Sequence, residues 1–392
     1  MQCSNVICLF SAMYAPSMGG VQTYTQSLAK ALANLGWRPI VVAMDTHGAG
    51  SNVASGDAKA GAAGIEVLRL PCRNALGGRY PMPRHGSDYT RAMEWLAAQE
   101  PRYVVVNTRF YPLSTEGLAF ARKLGIAPVL VEHGSAHLTM GGAAVNAAVE
   151  SVEHAMTARA KRYDPACYAV STKASAWLSH FGIESHGELP NAIDADAYAS
   201  AANTRDFRKE LGIGGDALLV ASAGRLVAEK GVLQLAQAVE RLAGDRANVH
   251  VAMAGAGPLE AQVAQMGCGN VHLLGKLDRA DMAALLAQAD VYCLPSRSEG
   301  FATTLLEAAA CGTPSIVTDV GGTDELIPDA AFGTIIDDME AGTIAAALLD
   351  AANHRERLAA QGRAVAQRVR ELCSWRHTAE LTLAACEREQ LQ

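Results

Sequence analysis

Short apolar runs alternate with longer amphipathic segments along almost the whole chain, and this alternation restricts the fold more than any other feature. NVICLF (5–10), PIVVAM (39–44), IEVLRL (65–70), YVVVN (103–107), APVLVE (127–132) and ACYAV (166–170) have the length and composition of strands. Most are apolar throughout rather than at every second residue, so both faces must be covered, as in a parallel sheet. Segments such as VQTYTQSLAKALANLG (21–36) carry apolar residues every three or four positions and supply the covering helices. The pattern breaks at HGELPNAIDADAYA (186–199) and restarts with ALLVASAG (217–224), NVHVAMAG (248–255), NVHLLG (270–275), ADVYCLP (289–295) and TPSIVTD (313–319). The expectation is an α/β protein of two Rossmann-like domains, 1–188 and 189–373, facing each other across a cleft. A length of 392 residues agrees, since one hydrophobic core seldom grows that large. The last helix, SWRHTAELTLAACEREQ (374–390), has no strand after it and is expected to cross back to the first domain.

Composition narrows the function classes. The formal net charge is -7 and no Lys/Arg block stands out, which argues against wrapping a nucleic acid duplex. Nine scattered cysteines without close pairing read as reduced thiols. The start, MQCSNVICLF, lacks the basic segment of a secretory signal, and no apolar run reaches 18 residues. A cytoplasmic setting is the expectation. DAKAGAAG (57–64) reads as a surface loop.

Four stretches carry chemistry. PSMGGVQTY (16–24) puts Gly19 and Gly20 after the first strand and at the head of a helix, where bare N–H groups suit an anion; an ordinary tight turn has the same look. GRLVAEKG (224–231) puts Arg225 and Lys230 around one turn, a pair able to grip a diphosphate or to sit in solvent beside Glu229. VLVEHGSAH (129–137) ends a strand at His133, suited to a sugar hydroxyl or to structural packing. EGFATTLLE sets Glu299 and Glu307 eight positions apart around a helix start at Thr303, Thr304 and Leu305. On a continuous helix they would be about 12 Å apart along the axis, too far to share a proton and longer than the ~5–9 Å of glycosidase carboxylate pairs. The spacing suits two ends of a long ligand with phosphates over the amides between. DAD (194–196) follows a turn, where Asp caps a helix more often than it binds metal.

Together these stretches resemble family 4 of the retaining GT-B glycosyltransferases. The most specific part is ADVYCLPSRSEGFATTLLEAAACGTPSIVTDVGGTDELI (289–327), similar to the family's E-x7-E segment and following glycine pair; GRLVAEKG, GAGPLE (255–260), LPNAID (189–194) and GGV (19–21) fall in the family's order. The resemblance implies an acceptor-binding first domain, a donor-binding second domain, and retaining transfer from a nucleotide diphosphate sugar, most commonly of UDP, without a bound metal or other cofactor. Glu307 would hold the ribose hydroxyls. Glu299 would hold the donor sugar, with amides of Gly300, Phe301 and Ala302. Arg225 and Lys230 would neutralise the diphosphate, aided by the amide of Gly20, while Lys276 and Leu277 would line the base. His133 would lie near the reacting carbon. Ala302 departs from the glycine that many relatives carry.

Arg109 and Tyr111 in NTRFYP (107–112) are nominated as acceptor contacts from their place at a strand end, with structural packing as the alternative. The acceptor would be a glycan, lipid-linked or small molecule, as in surface polysaccharide synthesis, with transient contact at the inner face of the plasma membrane. Two other readings compete: a nucleotide-sugar epimerase, which needs its own acid/base carboxylates, and a catalytically silent sugar-nucleotide-binding protein. The intact Arg225, Lys230, Glu299, Glu307 and His133 favour a transferase.

Overall fold

The computed structural model describes residues 4–16, 19–47, 65–75, 80–137, 143–244, 248–299 and 301–391. Gly300, Ser17, Met18 and the stretch 57–64 lie outside the described residues. The chain divides into two compact units, Met1–Asn191 with Trp375–Gln392, and Ala192–Ser374.

The first unit contains β1 (Val6–Phe10), β2 (Arg38–Met44), β3 (Glu66–Leu70), β4 (Cys72–Ala75), β5 (Tyr80–Pro83), β6 (Tyr103–Asn107), β7 (Val129–Glu132) and β8 (Ala166–Ala169). Six of these form a parallel sheet in the order β3-β2-β1-β6-β7-β8, in which Leu9 faces Val41 on one side and Val105 on the other. Every residue of β1, β6 and β7 is buried, because helices cover both faces.

The second unit contains β9 (Leu218–Ala223), β10 (Val249–Ala254), β11 (Val271–Gly275), β12 (Val291–Leu294), β13 (Ser315–Thr318) and β14 (Thr334–Ile336), in the parallel order β11-β10-β9-β12-β13-β14. Its core packs Leu218, Val220, Val251 and Ile316 of the sheet against Leu235, Val239, Ile344 and Leu348 of two covering helices.

Both sheets run outward in opposite directions from their first strand, so the order reverses between β1 and β6 and between β9 and β12. At such a reversal adjacent strands feed connections to opposite sides and leave a crevice at their carboxyl ends. The Gly19–Gly20 and Asn107–Arg109 stretches follow β1 and β6; the Arg225–Lys230 and Ser296–Glu299 stretches follow β9 and β12. Residues far apart in sequence thereby become neighbours.

Three strands go beyond the sequence expectation. β4 and β5 form an antiparallel pair, and β14 adds a sixth strand to the second sheet. CRNA has no apolar run and TII is only three residues long, so neither shows a strand period.

The helix Trp375–Leu391 lies against the helix Gly20–Asn34 of the first unit. Glu389 on it accepts the Tyr168 hydroxyl at 2.7 Å and pairs with His186 Nδ1 at 3.0 Å, and the Thr378 hydroxyl donates to the Pro190 carbonyl at 3.0 Å. Among the described residues no helix is long and apolar enough to cross a membrane.

Candidate active site

In the second unit a single 3-10 turn, Ala228–Lys230, follows β9 and ends at Gly231, whose φ of 64° is left-handed. A Cβ there would lie 2.3 Å from the Pro295 carbonyl oxygen, so the close approach requires glycine. The Arg297 N–H donates to the Glu229 carbonyl at 2.8 Å and ties the turns after β9 and β12 together. Lys230 Nζ consequently meets Glu299 Oε1, and the Ser296 hydroxyl donates to the same oxygen at 2.8 Å. With side chains only 21% and 12% exposed, this ion pair is shielded from solvent. An ammonium has three donors, so an anchored Lys230 can still address an anion. Arg225, two residues past the end of β9, is exposed.

Ala302 precedes the helix Thr303–Ala310 with φ -74°, a conformation in which its methyl group causes no strain. Phe301 is buried, and its ring fills the space a side chain on Gly322 would need: a Cβ there would be 2.1 Å from the ring. Gly322 therefore has a packing reason, while Gly321 takes a left-handed φ of 56°. Tyr292 OH hydrogen-bonds Thr304 Oγ1 at 2.7 Å, and the Leu305 N–H donates to the Ala302 carbonyl at 3.0 Å, which fixes the first turn. Glu299 precedes this helix, so the two carboxylates do not share a continuous one and the axial estimate of their separation does not apply.

Glu307 lies one turn into the helix. Burial raises its pKa from 4.5 to about 7, against the opposing pull of a hydrogen bond from Tyr198 and the charge of Arg279. The Arg279 guanidinium sits over the Tyr198 ring at 5.2 Å. Neither residue was nominated from sequence. Tyr198 comes from the short helix Ala195–Ala199, which Asp194 caps by accepting the Ala197 N–H at 3.1 Å; this is the capping role expected for DAD. Leu277 is half-buried and Lys276 exposed, just past β11, where the Gly255 N–H donates to the Gly275 carbonyl at 2.7 Å. A cavity of about 400 Å³ lined by Ser296, Thr318, Asp319, Asp337, Asp338 and Glu340 adjoins the turn after β12. Four carboxylates and one cation, Arg297, line it, so its net charge is unfavourable to a diphosphate.

In the first unit Gly19 caps the helix Gly20–Asn34 in an extended conformation, and a Cβ at Gly20 would meet nothing within 4 Å. Space is therefore open at Gly20, while the Gln22 side chain lies over Gly19, where a Cβ would be 2.6 Å from its Oε1. His133 Nε2 lies 2.8 Å from Asn107 Oδ1, while Asn107 Nδ2 donates to the Phe10 carbonyl at 3.3 Å. With the amide so oriented, His133 carries its proton on Nε2 and keeps Nδ1 as an acceptor. Burial lowers its pKa to about 3, so it stays neutral. Tyr24 stands edge-on to the His133 ring at 4.7 Å and Trp375 edge-on to Tyr24 at 5.4 Å. The loop after β7 is shaped by Glu132, which accepts the N–H groups of His133 at 3.0 Å and Gly134 at 2.7 Å.

Arg109 corrects the sequence expectation. It is 1% exposed and holds Glu132 at 2.5 Å and Glu153 at 3.3 Å, with its guanidinium 3.9 Å from the Phe181 ring centre. A side chain so enclosed cannot contact an acceptor; it orients the carboxylate that shapes the His133 loop. A strand-end position indicated a surface role, but the two buried carboxylates claim the charge. Between Asn107 and Arg109, Thr108 takes φ 64°, an uncommon conformation for a β-branched residue. Tyr111 is partly exposed and lies against Phe110 and Tyr80.

Two family patterns match in sequence order: Glycosyltransferase Family 4 over residues 18–197 and Glycosyl transferases group 1 over residues 203–368. The chain is 29% identical over 53% of its length to a GDP-mannose-dependent monoacylated alpha-(1-6)-phosphatidylinositol monomannoside mannosyltransferase of Corynebacterium glutamicum, 57% of which is covered. It is 26% identical over 93% of its length to a D-inositol 3-phosphate glycosyltransferase of Pseudarthrobacter chlorophenolicus, 89% of which is covered. The chain spans 34% to 57% of the length of the first curated relatives it matches. Among solved structures, Anabaena Alr3699/HepE in complex with UDP superposes with a TM-score of 0.73 at 17% identity, covering 97% of this chain and 99% of that one. With two six-stranded Rossmann-like sheets and both patterns in order, the chain belongs to family 4 of the glycosyltransferases, the group 1 type with the GT-B fold.

Proposed function

We propose that the protein transfers a sugar from a nucleotide diphosphate donor to a hydroxyl acceptor with retention at the anomeric carbon. The observation that carries this reading is the shielded Lys230–Glu299 pair, which sets a cation suited to phosphate beside a carboxylate suited to sugar hydroxyls at the reversal point of one sheet. In this reading Lys230 and Arg225 offset the charge growing on the departing diphosphate. The N–H groups at the start of the helix Thr303–Ala310 add to that stabilisation, and in the first unit the start of the helix Gly20–Asn34 offers N–H groups of the same kind to an anion. Glu307, positioned by Tyr198, accepts the ribose hydroxyls; in the first unit neutral His133 offers Nδ1 as an acceptor suited to a sugar hydroxyl. The acceptor hydroxyl attacks the face the diphosphate leaves, and its proton passes to the leaving phosphate. Catalysis is then positioning and charge stabilisation, with no protein nucleophile and no metal in the donor pocket.

The donor is a UDP- or GDP-linked sugar. A relative named for GDP-mannose and a structural neighbour solved with UDP support both bases, and UDP remains the first choice. Relatives named for phosphatidylinositol and inositol phosphate acceptors favour a polyol or lipid-linked acceptor reached by transient contact at the membrane's inner face.

Thermal shift against UDP-glucose, UDP-N-acetylglucosamine and GDP-mannose, followed by transfer assays, tests the proposal. One donor should raise Tm, since a ligand at 100 Kd stabilises the native state by about 2.7 kcal/mol. Lys230→Ala and Glu307→Ala should remain folded and lose about 10²–10³-fold in kcat/KM. Full transfer by either folded variant overturns the assignment. Donor stabilisation without transfer or hydrolysis would favour the silent binding protein, and an isomerised donor sugar the epimerase.

A further inference from the structure

We infer that the first unit binds a divalent cation of the zinc class through His137, Glu150, His154 and His180. His137 lies at the end of the loop begun by His133; Glu150 and His154 stand one turn apart on the helix Ala143–Lys161; His180 caps the helix Thr172–Ser179. One donor atom from each of the four lies within 4.8 Å of the other three. His137 Nε2 is 3.2 Å from His180 Nε2 and 3.3 Å from Glu150 Oε1, and that oxygen is 4.0 Å from His154 Nε2. Four ligands at ~2.0–2.1 Å around a tetrahedral ion are separated by about 3.3 Å, so the two short distances already fit and the others need only small side-chain rotations.

The surroundings prepare the same result. Glu153 accepts from His137 Nδ1 at 2.8 Å and is itself held by Arg109 at 3.3 Å. A proton fixed on Nδ1 turns the Nε2 lone pair toward the Glu150 carboxylate, an arrangement that repels unless a cation or a second proton stands between them. A buried carboxylate behind a ligating imidazole is also the usual support of a metal-bound histidine. The His180 ring is fixed by stacking on Trp177 at 4.8 Å and 5°. Three imidazoles with one carboxylate suit zinc, cobalt or nickel and not magnesium or calcium, which prefer oxygen. None of the four has a role in the proposed donor chemistry. A bound ion would clamp the loop carrying His133 to two helices.

The test uses untagged full-length protein stripped with chelator and dialysed against zinc at pH 7.5. The wild type is expected to retain one equivalent of zinc, gain thermal stability with zinc, and show intense four-coordinate visible bands with cobalt(II). The doubly substituted His154→Ala/His180→Ala protein removes only half-exposed side chains, and its fold is checked by circular dichroism; it should lose all three signals. Glu150→Gln should weaken zinc binding while leaving the metal-free Tm unchanged. Wild type that retains no zinc, with His137 instead protonated on both nitrogens by NMR, overturns the inference, as does equal zinc retention by the double variant.

Discussion

Glu307 is a carboxylate that burial keeps protonated up to about pH 7, and the sign of its effect on stability follows directly. Between its ordinary pKa of 4.5 and about 7 the folded chain holds a proton that the unfolded chain has released, so stability falls as pH rises through that window. Urea midpoints from pH 4 to 8 should decline with this slope in the wild type and more shallowly in Glu307→Gln; equal slopes would remove Glu307 as the cause. An ionised Glu307 accepts ribose hydroxyls better than a protonated one, so donor KM should fall between pH 6 and 8 in the wild type and stay flat in the Gln variant. Arg109 acts in the opposite manner, through charge kept inside the fold. Arg109→Leu strands Glu132 and Glu153 without their cation and should cost about 3–5 kcal/mol in urea unfolding. A loss below 1 kcal/mol would mean that the pair is dispensable.

The turns after β9 and β12 behave as one element because Gly231 permits the Pro295 carbonyl to lie where a side chain would stand. Gly231→Ala meets both a left-handed backbone cost of about 1–2 kcal/mol and that contact. It should separate Lys230 from Glu299, so donor-induced Tm shifts should shrink well beyond the loss in basal stability; an unchanged donor shift would show that the turn tolerates a methyl group. The helix Thr303–Ala310 depends similarly on Phe301 entering the space beside Gly322. Arg225 was legible in the sequence because it follows an apolar run, whose end periodicity locates, whereas Lys230, Glu299 and Glu307 stood out through the GRLVAEKG and EGFATTLLE motifs. The sequence did not reveal Tyr198 as the partner of Glu307. Tyr198 belongs to a five-residue helix with no period to read, and the pairing spans more than a hundred residues.

On the scale of each whole unit, the helix Trp375–Leu391 completes the first one, with Ala379, Thr382, Ala385 and Cys386 buried. Truncation after Ser374 should expose the helix Gly20–Asn34, lower Tm and speed amide exchange there; unchanged exchange would show that the terminal helix is an accessory. The sequence by itself determined the sheet type, the two successive α/β units and the strand ends that carry charge, because hydrophobic periodicity is local and survives without knowledge of any partner. Only the tertiary structure decided that Arg109 serves the interior, that burial holds His133 neutral while Asn107 fixes its tautomer, and that a histidine cluster converges beside Glu153. Those outcomes depend on desolvation and on contacts between distant segments, which exist only once packing has brought them together.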